Sequence, residues 1–198
     1  EHGNVVDGDG ILYILAMRLK ERGALDKNTV VATVMSNGGL FRALEKAGMK
    51  YETTSVGDRF VFECMEQNGY RLGGEQSGHI IFLDYATTGD GTLASVQFIN
   101  AVKHSGRKVS ELADEITLYP QVLVNAGVRN ENKSIYMEDK QISDAIRSLE
   151  DKMAGEGRVI IRPSGTEPLV RVMLEGTDRE QIAQDAKELA QLIESKFA

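Results

Sequence analysis

One short segment of this chain combines a cation, two hydroxyls and a glycine. Residues 162–168 read R-P-S-G-T-E-P, with the apolar runs 158–161 and 169–174 on either side. Both runs alternate and are rich in β-branched residues, so they predict two strands joined by a short loop. Arginine supplies planar donors, serine and threonine supply hydroxyl donors, and glycine lets an anion approach the backbone closely. The pattern favours a phosphate site, and the alternative is a polar hairpin in which Arg162 is merely solvated.

A second segment contains residue types that could take part in binding or catalysis. Residues 73–79 read G-G-E-Q-S-G-H. Three glycines in six positions predict a loop whose backbone adopts conformations that side chains forbid. Glu75 and Ser77 are two positions apart, so in a locally extended stretch they face the same side. A carboxylate and a hydroxyl placed in this way suit a pair of neighbouring sugar hydroxyls. The alternative is a glycine-rich turn in which Glu75 accepts local N–H groups.

Together the two segments resemble the α-D-phosphohexomutase family. G-E-x-S-G-H is similar to the sugar-binding loop of that family, and R-x-S-G-T-E-P is similar to its phosphate-binding loop. Residues 34–37, 56–61 and 73–91 are most similar to the phosphoglucosamine mutase branch. The resemblance covers essentially the whole chain and its motifs are specific.

The resemblance implies a set of site residues. Three of them would bind the sugar of the substrate: Glu75, Ser77 and His79. Five would bind its phosphate: Arg162, Ser164, Gly165, Thr166 and Arg171. A loop before a predicted helix contributes three further candidates: Gly57, Asp58 and Arg59.

The resemblance also implies an activity for the whole enzyme, which would interconvert glucosamine 6-phosphate and glucosamine 1-phosphate. The reaction would pass through a phosphoserine and a bisphosphorylated sugar, would require Mg²⁺, and would serve amino-sugar nucleotide and cell-wall precursor synthesis. Two rival interpretations stay open. One is a phosphoglucomutase or phosphomannomutase of the same family, and the other is a non-catalytic phosphosugar-binding module.

Two motifs of the family are missing from this sequence. Neither a T-A-S-H-N-P-like loop, which carries the catalytic serine, nor a D-G-D-G-D-R-like metal loop occurs. The near-match at residues 7–10 continues as Ile11-Leu12 and opens an amphipathic run, so it predicts a helix start with Asp9 as the N-cap. We therefore expect the C-terminal half of a mutase, the last two of four domains, without catalytic residues or a metal site of its own. Its partners would be the phosphosugar and the missing N-terminal half, which would carry the magnesium. The full-length enzyme could also form a homodimer.

Composition and charge narrow the class of protein. The chain has 198 residues, of which 41% are hydrophobic and 27% charged, as is typical of one or two globular domains. Its net charge of −7 without basic runs argues against nucleic-acid binding. A single cysteine precludes an intrachain disulfide, and no apolar stretch approaches the ~18 residues of a membrane span. A cytoplasmic location without membrane or nucleic-acid partners is expected.

The elements that must position these loops form two groups. Residues 1–118 alternate helix and strand, which predicts an α/β domain with a mostly parallel sheet, helices on both faces and binding loops after the strands. Pro120 marks a linker and a candidate hinge. Residues 119–198 read β-α-β-β-α, which predicts a smaller α+β domain with an antiparallel sheet and helices on one face. Its first helix is predicted over residues 137–153.

Several single residues keep two interpretations. His79 is either a proton shuttle or ligand donor, or a residue that fixes its loop. Asp58 is either near the ligand or the N-cap of the following helix. Arg171 is either a second cation for the phosphate or a solvated strand residue. Glu167 is expected to brace the loop arginine or the backbone, because a carboxylate beside a phosphate is repelled.

Overall fold

A computed structural model describes residues 1–133 and 135–198. The chain divides into two compact units, Glu1–Leu118 and Tyr119–Ala198. No helix in the described part of the chain is long and apolar enough to cross a membrane.

The first unit is built on a four-stranded sheet with the order β2-β1-β3-β4. Strand β1 pairs in parallel with both β2 and β3, while β4 runs antiparallel to β3. The strands are β1 (Thr29–Thr33), β2 (Lys50–Thr54), β3 (Leu72–Gly74) and β4 (Ile80–Phe82). The helices are α1 (Gly8–Glu21), α2 (Gly38–Lys46), α3 (Asp58–Asn68), α4 (Gly91–Ser105) and α5 (Val109–Ala113).

Both faces of this sheet are covered by helices. Successive side chains of β1 point to opposite faces, and each face packs in its own core. Val30 belongs to the larger core with Leu12 and Leu40, which lie on α1 and α2. Val31 belongs to a second core with Met65 of α3. The predicted mostly parallel sheet between two helical layers is confirmed, and the ends of β1, β2 and β3 lie at one edge.

The start of α1 differs from the prediction. The helix begins at Gly8, and Asp7 is the N-cap, with its Oδ1 accepting the Gly10 N–H at 3.1 Å. Asp9, predicted as the cap, is instead fully buried in the first turn, where its Oδ2 accepts the Asn37 N–H at 2.7 Å. The prediction was wrong because the apolar periodicity starts only at Ile11. The helix starts earlier, where the Gly8 N–H contacts the Gln76 carbonyl and Asp9 contacts Asn37.

The second unit contains a three-stranded antiparallel sheet with the order β5-β7-β6. Its strands are β5 (Gln121–Gly127), β6 (Arg158–Pro163) and β7 (Leu169–Glu175), and its helices are α6 (Lys140–Met153) and α7 (Arg179–Phe197). Val170, Val172 and Leu174 of β7 share one core with Ile142 of α6 and Ile193 of α7. The alternate residues of β7 face the other way, so both helices lie on one face of the sheet, as predicted.

One predicted helix of this unit is shorter than expected. Helix α6 starts at Lys140, because Asp139 caps it by accepting the Gln141 and Ile142 N–H groups at 2.9 and 3.1 Å. The preceding Tyr136–Glu138 is a single 3₁₀ turn. An aspartate is among the strongest N-caps, and here it overrides the apolar pattern that predicted a start at Met137.

Candidate functional site

The glycine-rich segment forms a closed turn between β3 and β4, and we call residues 75–79 the sugar-type loop. Its base is the Gly74–Ile80 pair of the antiparallel ladder. Inside the turn, the Glu75 N–H donates to the His79 carbonyl at 3.0 Å and the Gly78 N–H donates to the Glu75 carbonyl at 2.9 Å. Gly78 has φ +99°, a conformation that favours glycine. The loop thus lies at the sheet edge where β3 ends.

The carboxylate of Glu75 is the most buried functional group of this loop, since the residue is only 9% exposed. Its Oε1 accepts the N–H of Gly57 at 3.0 Å. Its Oε2 lies 3.7 Å from Nδ1 of His79. One carboxylate oxygen therefore accepts a local N–H group, as expected for a glycine-rich turn braced by Glu75. The second oxygen faces His79.

Ser77 and His79 complete the cluster around Glu75. The Ser77 Oγ lies 3.2 Å from His79 Nδ1, and both residues are exposed. The structure thus brings all three predicted sugar-binding residues together on one loop. A carboxylate, a hydroxyl and an imidazole at such spacing can accept and donate hydrogen bonds to adjacent hydroxyl groups.

The loop between β2 and α3 is only partly joined to this cluster. Gly57, the N-cap of α3, has φ +130° and carries the N–H that holds Glu75. Asp58 is the first residue of α3 and not its cap, and its Oδ1 accepts the Arg59 N–H. Arg59 is directed along the helix to Glu63, with Nε and Oε1 2.7 Å apart, and this hydrogen bond raises the pKa of the guanidinium. Of the three further candidates, only Gly57 is bonded to the cluster.

The second segment is the connection between β6 and β7, and we call residues 164–168 the phosphate-type loop. The Ser164 N–H donates to the Leu169 carbonyl at 2.9 Å, and its hydroxyl accepts the Glu167 N–H at 3.3 Å. Ser164 is buried, so its hydroxyl braces the loop. Gly165 and Thr166 are exposed, and a Cβ on Gly165 would meet nothing within 4 Å. The tip of the loop is open to a ligand.

Two arginines stand opposite each other at the base of this loop. Arg162 of β6 and Arg171 of β7 are register partners and lie on the sheet face away from the helices. An Arg171 terminal nitrogen lies 3.3 Å from a carboxylate oxygen of Glu167. The carboxylate that was expected to brace the loop arginine, Arg162, or the backbone therefore contacts the arginine of β7 instead. The buried Nε of Arg162 has no hydrogen-bond partner among the described residues.

The sequence patterns missed one cation at this loop. Lys133 Nζ donates to the carbonyl of Ser164 at 2.9 Å. Lys133 lies in the connection between β5 and α6, about thirty residues before the loop, and no local pattern marks it. Only the tertiary fold brings it there.

The described residues do not fit a magnesium site. No group of three or more His, Cys, Asp or Glu side chains in residues 1–133 and 135–198 could hold a metal ion. The carboxylates of the D-G-D-G segment are engaged elsewhere, with Asp7 capping α1 and Asp9 buried against Asn37.

The models of two protein-domain families match the chain. Residues 7–119 match phosphoglucomutase/phosphomannomutase, alpha/beta/alpha domain III. Residues 123–192 match the C-terminal domain of phosphoglucomutase/phosphomannomutase.

Curated relatives are similar over the full chain. It is 56% identical over 198 residues to a phosphoglucosamine mutase of Caldicellulosiruptor bescii. It is 59% identical over 197 residues to a phosphoglucosamine mutase of Thermoanaerobacter sp. strain X514. In both comparisons all of this chain is covered but only 44% of the relative, so the chain spans less than half the length of these proteins.

Solved structures with the same fold include the N-acetylphosphoglucosamine mutase of Aspergillus fumigatus in complex with GlcNAc-6P and magnesium. The TM-score between the two structures is 0.80 and the sequence identity is 22%. The alignment covers 100% of this chain and 46% of the Aspergillus chain. A putative phosphomannomutase from Thermus thermophilus has a TM-score of 0.63 at 21% identity, covering 94% and 40% of the two chains.

Proposed function

The chain belongs to the phosphoglucomutase/phosphomannomutase family, and from that premise we propose that it is the substrate-recognition half of a phosphoglucosamine mutase. Identity of 56–59% over the whole of this chain to proteins of that name supports the amino-sugar branch. The whole enzyme would interconvert glucosamine 6-phosphate and glucosamine 1-phosphate.

In this reaction a phosphoserine gives its phosphoryl group to the free position of the sugar, and the bisphosphorylated intermediate then reorients. The second phosphate returns to the serine, so substrate and product differ only in the position of one phosphate. Magnesium supplies charge neutralisation in such transfers. In the proposed division of roles, the other half of the enzyme would carry the nucleophile and the metal, and this half would bind and orient the sugar phosphate.

The phosphate-type loop would hold the phosphate that is not being transferred. The observation that carries this assignment is Arg162, whose half-buried guanidinium has no ion pair among the described residues. A cation in such a position favours an anion, because charge-assisted hydrogen bonds strengthen as water is excluded. The exposed Gly165 and Thr166 supply a backbone N–H and a hydroxyl, while Arg171 adds positive charge that Glu167 partly offsets.

The sugar-type loop would bind hydroxyl groups of a sugar phosphate. Glu75 Oε2 and the Ser77 hydroxyl form an acceptor and a donor, and His79 lies between them. When the intermediate turns over, the 3- and 4-hydroxyls of the ring exchange places, so one pair of groups can serve both orientations. The role of His79 in proton transfer and a hinge near Pro120 stay predictions, as does a cytoplasmic location.

A second candidate is a mutase acting on glucose or mannose phosphates, because the matching family descriptions name phosphoglucomutase and phosphomannomutase. Turnover of glucosamine and glucose phosphates by a mutase that contains this chain would separate the two. A clear preference for the glucose phosphate would replace the amino-sugar proposal.

Calorimetric titration of the 198-residue chain tests the proposal. Glucosamine 1-phosphate, glucosamine 6-phosphate and inorganic phosphate should all bind, and Arg162→Ala should weaken each by roughly thirtyfold, as expected for a lost charge-assisted contact. Arg179→Ala, which removes an exposed arginine at the start of α7, is the matched control and should bind like the wild type. Equal binding by the Arg162 variant and the wild type would remove this loop from the site. The chain alone should show no mutase turnover, and turnover by pure chain would contradict the division of roles.

A further inference from the structure

We propose that Gly8 is a positioning residue for the sugar-type loop, and that the start of α1 sets the direction in which Glu75 and Ser77 point. This inference rests on the proposed function for its ligand but not for its geometry. It gives the D-G-D-G segment, which resembles a metal loop, a different role.

Gly8 lies directly against the backbone of the loop. Its N–H donates to the carbonyl of Gln76 at 3.0 Å. A Cβ at this position would lie 2.2 Å from the Glu75 carbonyl oxygen, 2.6 Å from that of Gln76 and 2.7 Å from the Gly78 nitrogen. All three atoms belong to the backbone, so no side-chain rotation could relieve the contacts. Any side chain at Gly8 must therefore displace the loop or the helix.

The helix end is well suited to hold a loop of carbonyl groups. The first N–H groups of an α-helix have no partner within the helix, and they form its positive end. Gly8 offers one of these N–H groups to the loop, while Asp7 caps the helix through Gly10. The second oxygen of Asp7 is 3.4 Å from the side-chain nitrogen of Gln76, which adds a weak contact to the same loop.

The same turn of α1 also holds the loop after β1. Buried Asp9 accepts the Asn37 N–H, and Asn37 in turn accepts the Gly39 N–H to cap α2. Gly8 and Asp9 therefore tie two loops at the sheet edge to one rigid helix end.

Two glycines on different elements thus determine where the Glu75 carboxylate lies. Gly8 supports the backbone of the loop, and Gly57 holds the carboxylate itself through Oε1. If the loop backbone shifts, Oε2 and the Ser77 hydroxyl move away from the sugar hydroxyls that they are proposed to bind. Gly8 acts through these residues without touching the ligand.

The test compares Gly8→Ala with Gly91→Ala in the 198-residue chain. Gly91 opens α4, and a Cβ there would meet nothing within 4 Å, so its variant is the matched control. In Gly8→Ala, the Gly78 amide should exchange its hydrogen about tenfold faster, because its bond to the Glu75 carbonyl is disturbed, while amides of β1 keep their protection. Affinity for glucosamine 6-phosphate should fall by roughly tenfold or more, as a misplaced site predicts, while that for inorganic phosphate stays within about twofold.

A milder variant covers the case in which Gly8→Ala does not fold. Gln76→Ala removes the side-chain contact with Asp7 and leaves α1 intact. It should therefore speed exchange of the Gly78 amide and weaken the binding of glucosamine 6-phosphate, both by smaller factors than Gly8→Ala. Unchanged Gly78 exchange in both variants would overturn the proposal. If the wild-type chain binds no sugar phosphate, the proposed function fails, while the exchange measurement still decides whether Gly8 positions the loop.

Discussion

The two loops are both turns between antiparallel strands, yet they are supported very differently. The sugar-type loop is held by its own hydrogen bonds, by α1 through Gly8 and by the start of α3 through Gly57. The phosphate-type loop is braced by Ser164 and by Lys133, and residues 165–168 are all exposed.

This contrast matches what each loop would recognise. Sugar hydroxyls are read through directional hydrogen bonds, so an acceptor such as Glu75 must be fixed within narrow limits. A phosphate carries several equivalent oxygens and is attracted mainly by charge, so exposed donors beside Arg162 suffice. Recognition by direction therefore requires a supported backbone, whereas recognition by charge tolerates an open one.

Replacing one glycine in each loop region tests this contrast most strongly. Gly57→Ala forces a side chain into φ +130° and should destabilise the chain by about 2 kcal/mol. Gly165→Ala places its methyl group in open space and should leave stability nearly unchanged. Thermal unfolding of both variants measures this. Equal losses of Tm would show that the two loops are equally constrained.

Glu75→Gln is expected to have the next largest effect. The amide keeps an oxygen for the Gly57 N–H but loses the charge, so affinity for glucosamine 6-phosphate should fall about tenfold. Affinity for inorganic phosphate should not change, because that ion is proposed to bind at the phosphate-type loop. Calorimetric titration with both ligands decides the matter, and a parallel loss for both ligands would mean that the two loops do not act separately.

Lys133→Ala should have a smaller effect, confined to the phosphate-type loop. It removes a hydrogen bond to the Ser164 carbonyl, which corresponds to about 1 kcal/mol, and a nearby positive charge. Phosphate affinity should fall a few-fold, whereas Lys187→Ala, an exposed lysine of α7, should not alter it. An unchanged affinity in the Lys133 variant would leave Lys133 as a structural brace alone.

The smallest expected effect is a pH dependence at Asp139, the N-cap of α6 in the second unit. Hydrogen bonds from Lys196 lower the pKa of Asp139 below its ordinary value of 3.8. The folded state therefore binds fewer protons at this group, so the contribution to stability is present at neutral pH and is lost as pH falls through the acid range below that value. The Tm difference between wild type and Asp139→Asn should be small at about pH 7 and shrink toward about pH 3. A difference independent of pH would exclude this ion pair as its source.

Much of the fold was predictable because its signals are local. The β-branched runs on either side of residues 162–168 predicted β6 and β7, and the alternation of helix and strand over residues 1–118 predicted the mostly parallel sheet. Errors fell at helix starts, at Gly8 and Lys140, where capping and tertiary contact outweigh periodicity. The site was predictable in part, because its two loops carry unusual residue types in a fixed order.

By itself the sequence determined the family, the order of elements and the two loops, since each depends on residue types within a short window. Only the tertiary structure decided which atoms support those loops. The contacts of Gly8 with Gln76, and of Lys133 with Ser164, join residues far apart in sequence. The physical reason is that a backbone contact between distant elements depends on how the elements pack and leaves no periodic or local pattern by which it could be recognised beforehand.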